Sequence, residues 1–164
     1  HARDAADLPE VARMNWDEFA KQAPELARLG VERIDGSGMV LLGTLRPNGF
    51  PRISPCEAIF CDGEVMLGMM WRSPKALDLL RDPRCVLHST VSKTDGSEGD
   101  FKLYGRGVDV HDPGVRKRYC EALFAKIGWQ PSEPEFHLFV VDVESAGWSR
   151  FDNGVKQHKA WKRA

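Results

Sequence analysis

Between Met39 and Met70 the chain is cut into three short segments by Asn48-Gly49 and Asp62-Gly63. Asn-Gly and Asp-Gly adopt the positive-φ turns that join neighbouring antiparallel strands. Met39–Leu45 is a short apolar run suited to a buried strand, Arg52–Cys61 reads as the returning strand and Glu64–Met70 as a third. They predict an antiparallel meander. Pro51 and Pro55 have no N–H to give a ladder, so part of the second strand must be an edge or carry a bulge.

The flanking sequence changes texture. Asn15 caps a helix carrying Trp16, Phe19 and Ala20, with Asp17 and Glu18 in its first turn. Pro24 breaks that helix or opens the next, and Gly30 is expected to end it. Ser73-Pro74 opens a short helix with Ala76, Leu77 and Leu80 on its apolar face, and Asp82-Pro83 ends it. Cys85 to Val91 and Phe101 to His111 read as strands around an exposed loop, Ser92 to Gly99. Asp112-Pro113 starts a helix to about Ile127, with Tyr119, Leu123 and Phe124 inward. Phe136–Val143 and Gly147–Phe151 are predicted as two further strands, followed by a basic tail from Asn153 to Ala164. The fold class is mainly β with peripheral helices, a six- to seven-stranded antiparallel barrel. Residues 1–14 are read as an N-terminal extension, partly tag-derived, and 15–164 as a single domain.

Composition narrows the function. The 164 residues are 42% hydrophobic and 29% charged with net charge −1, so no global basic field exists for a nucleic-acid backbone. No apolar run is long enough for a membrane helix, and the start has no apolar signal segment. Cys56, Cys61, Cys85 and Cys120 form no CxxC pair, and His88, His111, His137 and His158 show no metal-ligand spacing. Cys56, Cys61 and Cys85 sit inside apolar stretches and are expected to be buried reduced thiols in a cytoplasmic protein, and no metal is expected.

Two segments hold chemistry. In Trp71-Arg-Ser-Pro-Lys-Ala76, a helix start combines free N–H groups, the Ser73 hydroxyl, the Lys75 ammonium and the preceding Arg72, a set suited to a phosphate monoester. In Arg52-Ile-Ser-Pro55, an edge strand leaves main-chain groups free to meet a planar ligand, with Arg52 as a nearby cation. Taken alone, each also has a plain reading: an ordinary N-cap with a solvated lysine, and a surface edge guarded by Pro and Arg. No Ser/His/Asp set stands out, and no catalytic residue is assigned.

The order Gly43-Thr-Leu-Arg-Pro-Asn-Gly-Phe-Pro-Arg-Ile-Ser-Pro55 followed by Ser73-Pro-Lys-Ala-Leu-Asp-Leu-Leu-Arg-Asp-Pro-Arg84 resembles the pyridoxamine 5'-phosphate oxidase-like flavin-binding split-barrel family. The likeness extends over roughly residues 15 to 162. It implies a split barrel working as a homodimer on a small-molecule substrate, with cofactor sites at the subunit interface. It implies an FMN-dependent oxidoreductase, with the deazaflavin coenzyme F420 in the same groove, or non-catalytic flavin, haem or other ligand binding, as alternatives. Arg52, Ile53, Ser54 and Pro55 then run along the flavin, Gly68 and Met69 approach its ring or phosphate, and Ser73 and Lys75 hold the phosphate. Relatives often carry Arg between that Ser and Lys; here it is Pro74, and Arg72 is the substitute. Trp148 or Trp161 of the C-terminal region is implied near the ring. The arginine-rich C-terminal motif of the vitamin oxidase itself has no match here.

Overall fold

The computed structural model describes residues 13–164. Residues 1–12, which hold most of the expected N-terminal extension, lie outside the described residues. Met14 already belongs to the fold: it is buried in the core, and its N–H donates to Asp142 Oδ1 at 2.8 Å.

Four helices and seven strands follow in the order α1 (Trp16–Gln22), α2 (Pro24–Ser37), β1 (Met39–Leu45), β2 (Pro51–Cys61), β3 (Glu64–Met70), α3 (Pro74–Arg81), β4 (Arg84–Ser89), β5 (Asp100–Asp109), α4 (Pro113–Ile127), β6 (Phe136–Asp152) and β7 (Val155–Lys162). The sheet runs β3-β2-β1-β4-β5-β6-β7, and a β3–β6 pairing closes the first six strands into an antiparallel barrel. β7 is added beyond the barrel, on the second half of β6.

Several sequence features act as predicted. Asn15 Oδ1 accepts the Glu18 N–H at 2.9 Å and starts α1. Asp112 caps α4 through the Val115 N–H. The Arg46 N–H and Gly49 N–H close the first hairpin on Phe50 O and Arg46 O.

Gly30 does not end α2. The helix runs on to Ser37 and stops at Gly38, whose φ of 70° suits glycine. Gly30 instead gives room to aromatic rings: a Cβ there would stand 2.7 Å from Phe101 Cζ and 2.8 Å from Trp16 Cη2. Trp16 packs edge-on against Phe19, Phe60 and Phe101, so α1 and α2 are docked against the main core with Leu26 and Ile34.

The two predicted strands over 136–151 are one. β6 is a continuous 17-residue strand, with a register shift opposite Tyr104/Gly105. Its long reach lets it pair with β3 at one end, with β5 over residues 139–149 and with β7 at the other end. The basic tail is β7, joined through Asn153-Gly154 with φ 49° and 77°. Almost every β7 residue is exposed, so no polar–apolar alternation marked it as a strand.

A second cluster sits outside the barrel wall. There Tyr119 and Leu123 of α4 cover Ile59, Met66, Leu138 and Val140, while Phe124, expected inward, is exposed. On α3 the buried residues are Ala76, Asp78 and Leu79, whereas Leu77 and Leu80 face out. The helix is rotated from its hydrophobic reading because Asp78 is drawn inward by polar partners.

Candidate functional site

β2 changes neighbours along its length. Residues 51–57 pair with β1 only, while Ala58–Cys61 pair with β3. β3 pairs with β2 only as far as Leu67, while its other edge pairs with β6 from Met66 to Met70. The barrel wall therefore splits between the first half of β2 and the end of β3. Pro51 and Pro55 lie on that open stretch, which is how a strand between two others tolerates them.

α3 starts at the mouth of the split. Lys75 Nζ donates to Pro55 O at 3.0 Å, spanning from helix to open edge. Extended geometry turns the main-chain groups of Ile53 the same way as that carbonyl. Ser73 is the N-cap of α3 by backbone position, but its side chain makes no capping bond. Its Oγ is enclosed and has no hydrogen-bond partner among the described residues. An enclosed hydroxyl without a partner is unfavourable unless a ligand or water meets it.

Arg52 is placed differently from the simple expectation of a free cation. Its Nε donates to Asp78 Oδ2 at 2.7 Å. The same carboxylate accepts from Thr44 Oγ1 at 2.8 Å and from Arg81 at 3.2 Å. Arg81 also reaches Leu45 O. Burial works against ionisation of Asp78, but the bonds from Arg52, Thr44 and Arg81 outweigh it and hold the carboxyl below the usual range. Two arginines on one carboxylate leave the cluster with net positive charge beneath the split.

The remaining predicted residues separate into two groups. Ile53 (72% exposed), Pro55 and Arg72 are at the surface of the split, with half-buried Ser54 beside them. Met69 points into the barrel core, and Trp148, 6% exposed, is a core residue. Gly68 faces α4: a Cβ there would lie 1.9 Å from the Tyr119 hydroxyl, so its glycine is required by packing against Tyr119. Trp161 packs edge-on against Phe19 of α1, ring centroids 5.0 Å apart. Met69, Trp148 and Trp161 therefore serve the packing of their own chain.

Sequence reasoning missed Trp71 and His137. Trp71 stacks on His137 with centroids 4.5 Å apart and planes 9° apart, next to the start of α3. They are far apart in sequence, and no spacing rule pairs them. Below the split, Cys56 Sγ lies 3.7 Å from Gly68 O, and burial pushes its thiol up to about 12, so it stays protonated at neutral pH. Cys85 is buried likewise, whereas Cys61, expected to be buried, is half-exposed; all four cysteines are free.

The split is bordered by the edge of β2 that β3 leaves unpaired. Two concavities lie elsewhere, about 450 Å³ beside the start of α4 and about 480 Å³ between the first hairpin and the end of α3. Among the described residues no metal-binding cluster occurs, and no helix is long and apolar enough to cross a membrane.

Solved structures share this fold. A heme binding protein from Mycobacterium smegmatis matches with TM-score 0.66 at 16% identity, over 85% of this chain and 58% of that one. This chain thus spans under two thirds of that protein. A protein related to general stress protein 26, of the pyridoxinephosphate oxidase family, from Clostridium acetobutylicum matches with TM-score 0.59 at 18% identity, over 89% and 95% of the two chains. The chain has the split-barrel fold of pyridoxamine 5'-phosphate oxidase-like proteins. A putative pyridoxamine 5'-phosphate oxidase from Listeria innocua has the same split barrel, with TM-score 0.62 at 13% identity over 74% and 96% of the chains. No protein-family profile matches the chain, and no curated protein matches it significantly.

Proposed function

We propose that this split barrel binds FMN along the open edge of β2 and acts as a flavin-dependent oxidoreductase on a small molecule. The observation that carries the reading is the partnerless Ser73 Oγ beside Lys75, at the positive end of α3, where β2 and β3 part. Lys75 spends one ammonium hydrogen on Pro55 O and has two left for a phosphate. Ser73 Oγ donates a further hydrogen bond, and the first N–H groups of α3 add theirs. Main-chain groups of Ile53 and the surface of Pro55 border the planar ring. The Arg52–Asp78–Arg81 cluster holds this edge in place and adds positive potential beneath it. When bound, the flavin supplies the hydride or electron transfer, and the protein orients it. The same residues suit the deazaflavin coenzyme F420.

The surroundings of the split are apolar and exposed. Ile53, Met70 (81% exposed) and Trp71 (50% exposed) flank it, and Leu41 and Tyr104 continue the apolar surface across the outer face of β1 and β5. These features support a homodimer in which a second copy covers this face and completes the groove, through an apolar interface of about 2,000 Å² or more.

Parallel titration with FMN, riboflavin and F420 tests the reading. Binding of FMN well above riboflavin supports it, and equal affinity for the two removes the phosphate site. A second reading, haem binding, is favoured by His88: its Nδ1 is 2.6 Å from Ser89 O, which leaves Nε2 to ligate. A Soret band on haem addition that is lost in His88→Ala identifies that reading instead.

A further inference from the structure

The turn that delivers α3 to the split is strained and held from outside. Met70-Trp71-Arg72-Ser73 is a tight turn closed by the Ser73 N–H to Met70 O at 3.1 Å. Arg72, its third residue, has φ 56°, a conformation that disfavours side chains other than those of Gly, Asn or Asp. Two contacts from β6 offset that strain. The Arg72 N–H donates to His137 Nε2 at 3.1 Å, and the Trp71 ring lies flat on the His137 ring. His137 is fixed in turn by pairing with Met69 across the β3–β6 ladder and by its neighbour Phe139, 6.3 Å away in the same stack.

The direction of the hydrogen bond sets the protonation state. Nε2 accepts, so the ring is neutral with its proton on Nδ1. A protonated ring presents N–H at both nitrogens and faces the Arg72 N–H donor to donor. We propose that His137 is a positioning residue whose neutral form holds the Trp71–Arg72 turn, and that its protonation loosens Ser73 and Lys75 and weakens anion binding at the start of α3. This rests on the phosphate site proposed above.

The charged groups around His137 come from each element packed on it. They are Asp109 at the end of β5, His111 in the loop that follows, Arg116 on α4 and Arg72 in the turn itself. Burial acts first to favour the neutral ring; Asp109 opposes this, and Arg116, His111 and Arg72 add to it. Asp109 is itself paired with His111 Nε2 at 2.8 Å. The balance leaves His137 below the usual histidine range and the turn in its holding state at neutral pH.

The experiment has one arm without ligand and one with it. Ligand-free protein labelled for NMR is titrated from pH 8 to pH 5, following the His137 ring and the Arg72 amide. Both should move with one midpoint, and the Trp71 part of the fluorescence, taken as wild type minus Trp71→Phe, should change at the same pH. FMN affinity is then measured over the same range in wild type and in His137→Gln, whose amide oxygen reaches the Nε2 position but does not titrate. The wild type should lose about 5- to 10-fold more affinity than the variant on acidification, the worth of one hydrogen bond. The variant also cancels the titration of the FMN phosphate, common to both proteins. An Arg72 amide that ignores the His137 titration overturns the proposal, as does an identical pH slope in the two proteins. If the ligand-free coupling appears but FMN binds at no pH, the cofactor reading fails and the turn switch stands. If His137→Gln does not fold, the NMR arm on the wild type decides alone.

Discussion

Replacing Asp78 by Ala tests whether the site is held from below. The carboxylate is 2% exposed and accepts from Arg52, Thr44 and Arg81. Removing one partner of a buried ion pair costs about 3–5 kcal/mol where the remaining charge stays buried. Here the arginine side chains are 28% and 39% exposed, so water recovers part of that loss and about 1–2 kcal/mol remains. The Thr44 hydroxyl is buried and loses its acceptor, for about 1 kcal/mol more. The sum, about 2–3 kcal/mol, lowers the melting temperature of a chain this size by roughly 5–10 °C.

The effect carries a pH signature. The folded carboxyl is held below its ordinary value of 3.8, so its stabilisation is present above that value and fades as pH falls through the lower, folded one. Urea unfolding followed by tryptophan fluorescence, at fixed protein concentration, should show the full gap between wild type and Asp78→Ala at pH 7. The gap should narrow steadily below pH 4. A difference under about 0.5 kcal/mol at pH 7, or a gap of constant size down to pH 3, refutes the idea that this ionised cluster braces β1, β2 and α3.

Further expectations follow from neighbouring contacts. Lys75→Ala should weaken FMN by about 10- to 150-fold with little change for riboflavin, measured by flavin fluorescence quenching. Gly68→Ala places a Cβ on the Tyr119 hydroxyl and should destabilise the fold by about 1–3 kcal/mol; combining it with Tyr119→Phe should return part of that loss in thermal melts. Ile53→Asp should leave the monomer folded by circular dichroism while halving the mass seen by light scattering from about twice 18.4 kDa. An unchanged mass would place the subunit interface elsewhere.

Where sequence and structure agree, local chemistry was decisive. β1, β3 and α4 match their predicted limits because a turn, a cap or a proline stands at each end. Gly30 misled because a glycine that ends a helix and a glycine that admits an aromatic ring look alike until Trp16 and Phe101 are placed. β7 was hidden because an exposed strand carries no apolar stripe, yet Asn153-Gly154 signalled its hairpin as plainly as Asn48-Gly49 did the first. In the candidate site, Ser73 with Lys75 and, separately, Pro55 were singled out by local chemistry, a helix start and an edge proline; the Lys75–Pro55 contact appears only in the fold. Asp78 left a fainter sign, an acid between Ala76 and Leu79 on the buried side of α3. Trp71 with His137 left none, because their contact arises only once the end of β3 is paired with the start of β6.

The end of β3 joins the fold to its chemistry. A strand that stayed with β2 throughout would consume the main-chain groups of Ile53 and Pro55 in a ladder and leave a closed wall. Because β3 parts from β2 after Leu67 and stays paired with β6 to Met70, one edge of β2 is freed, and the turn at Trp71–Arg72 starts α3 beside the gap. The cost is a positive-φ arginine, an open strand edge and exposed apolar side chains at Ile53, Met70 and Trp71. Each is met by a specific feature. His137 braces the turn, prolines guard the edge against a foreign strand, and the proposed second copy of the chain would cover the apolar face. The Ile53→Asp variant therefore carries a second expectation. If a second copy lines one side of the groove, as proposed, the monomer it produces should bind FMN more weakly than the wild-type dimer although Ser73 and Lys75 are untouched. A monomer with undiminished FMN affinity would show that one chain makes the whole site.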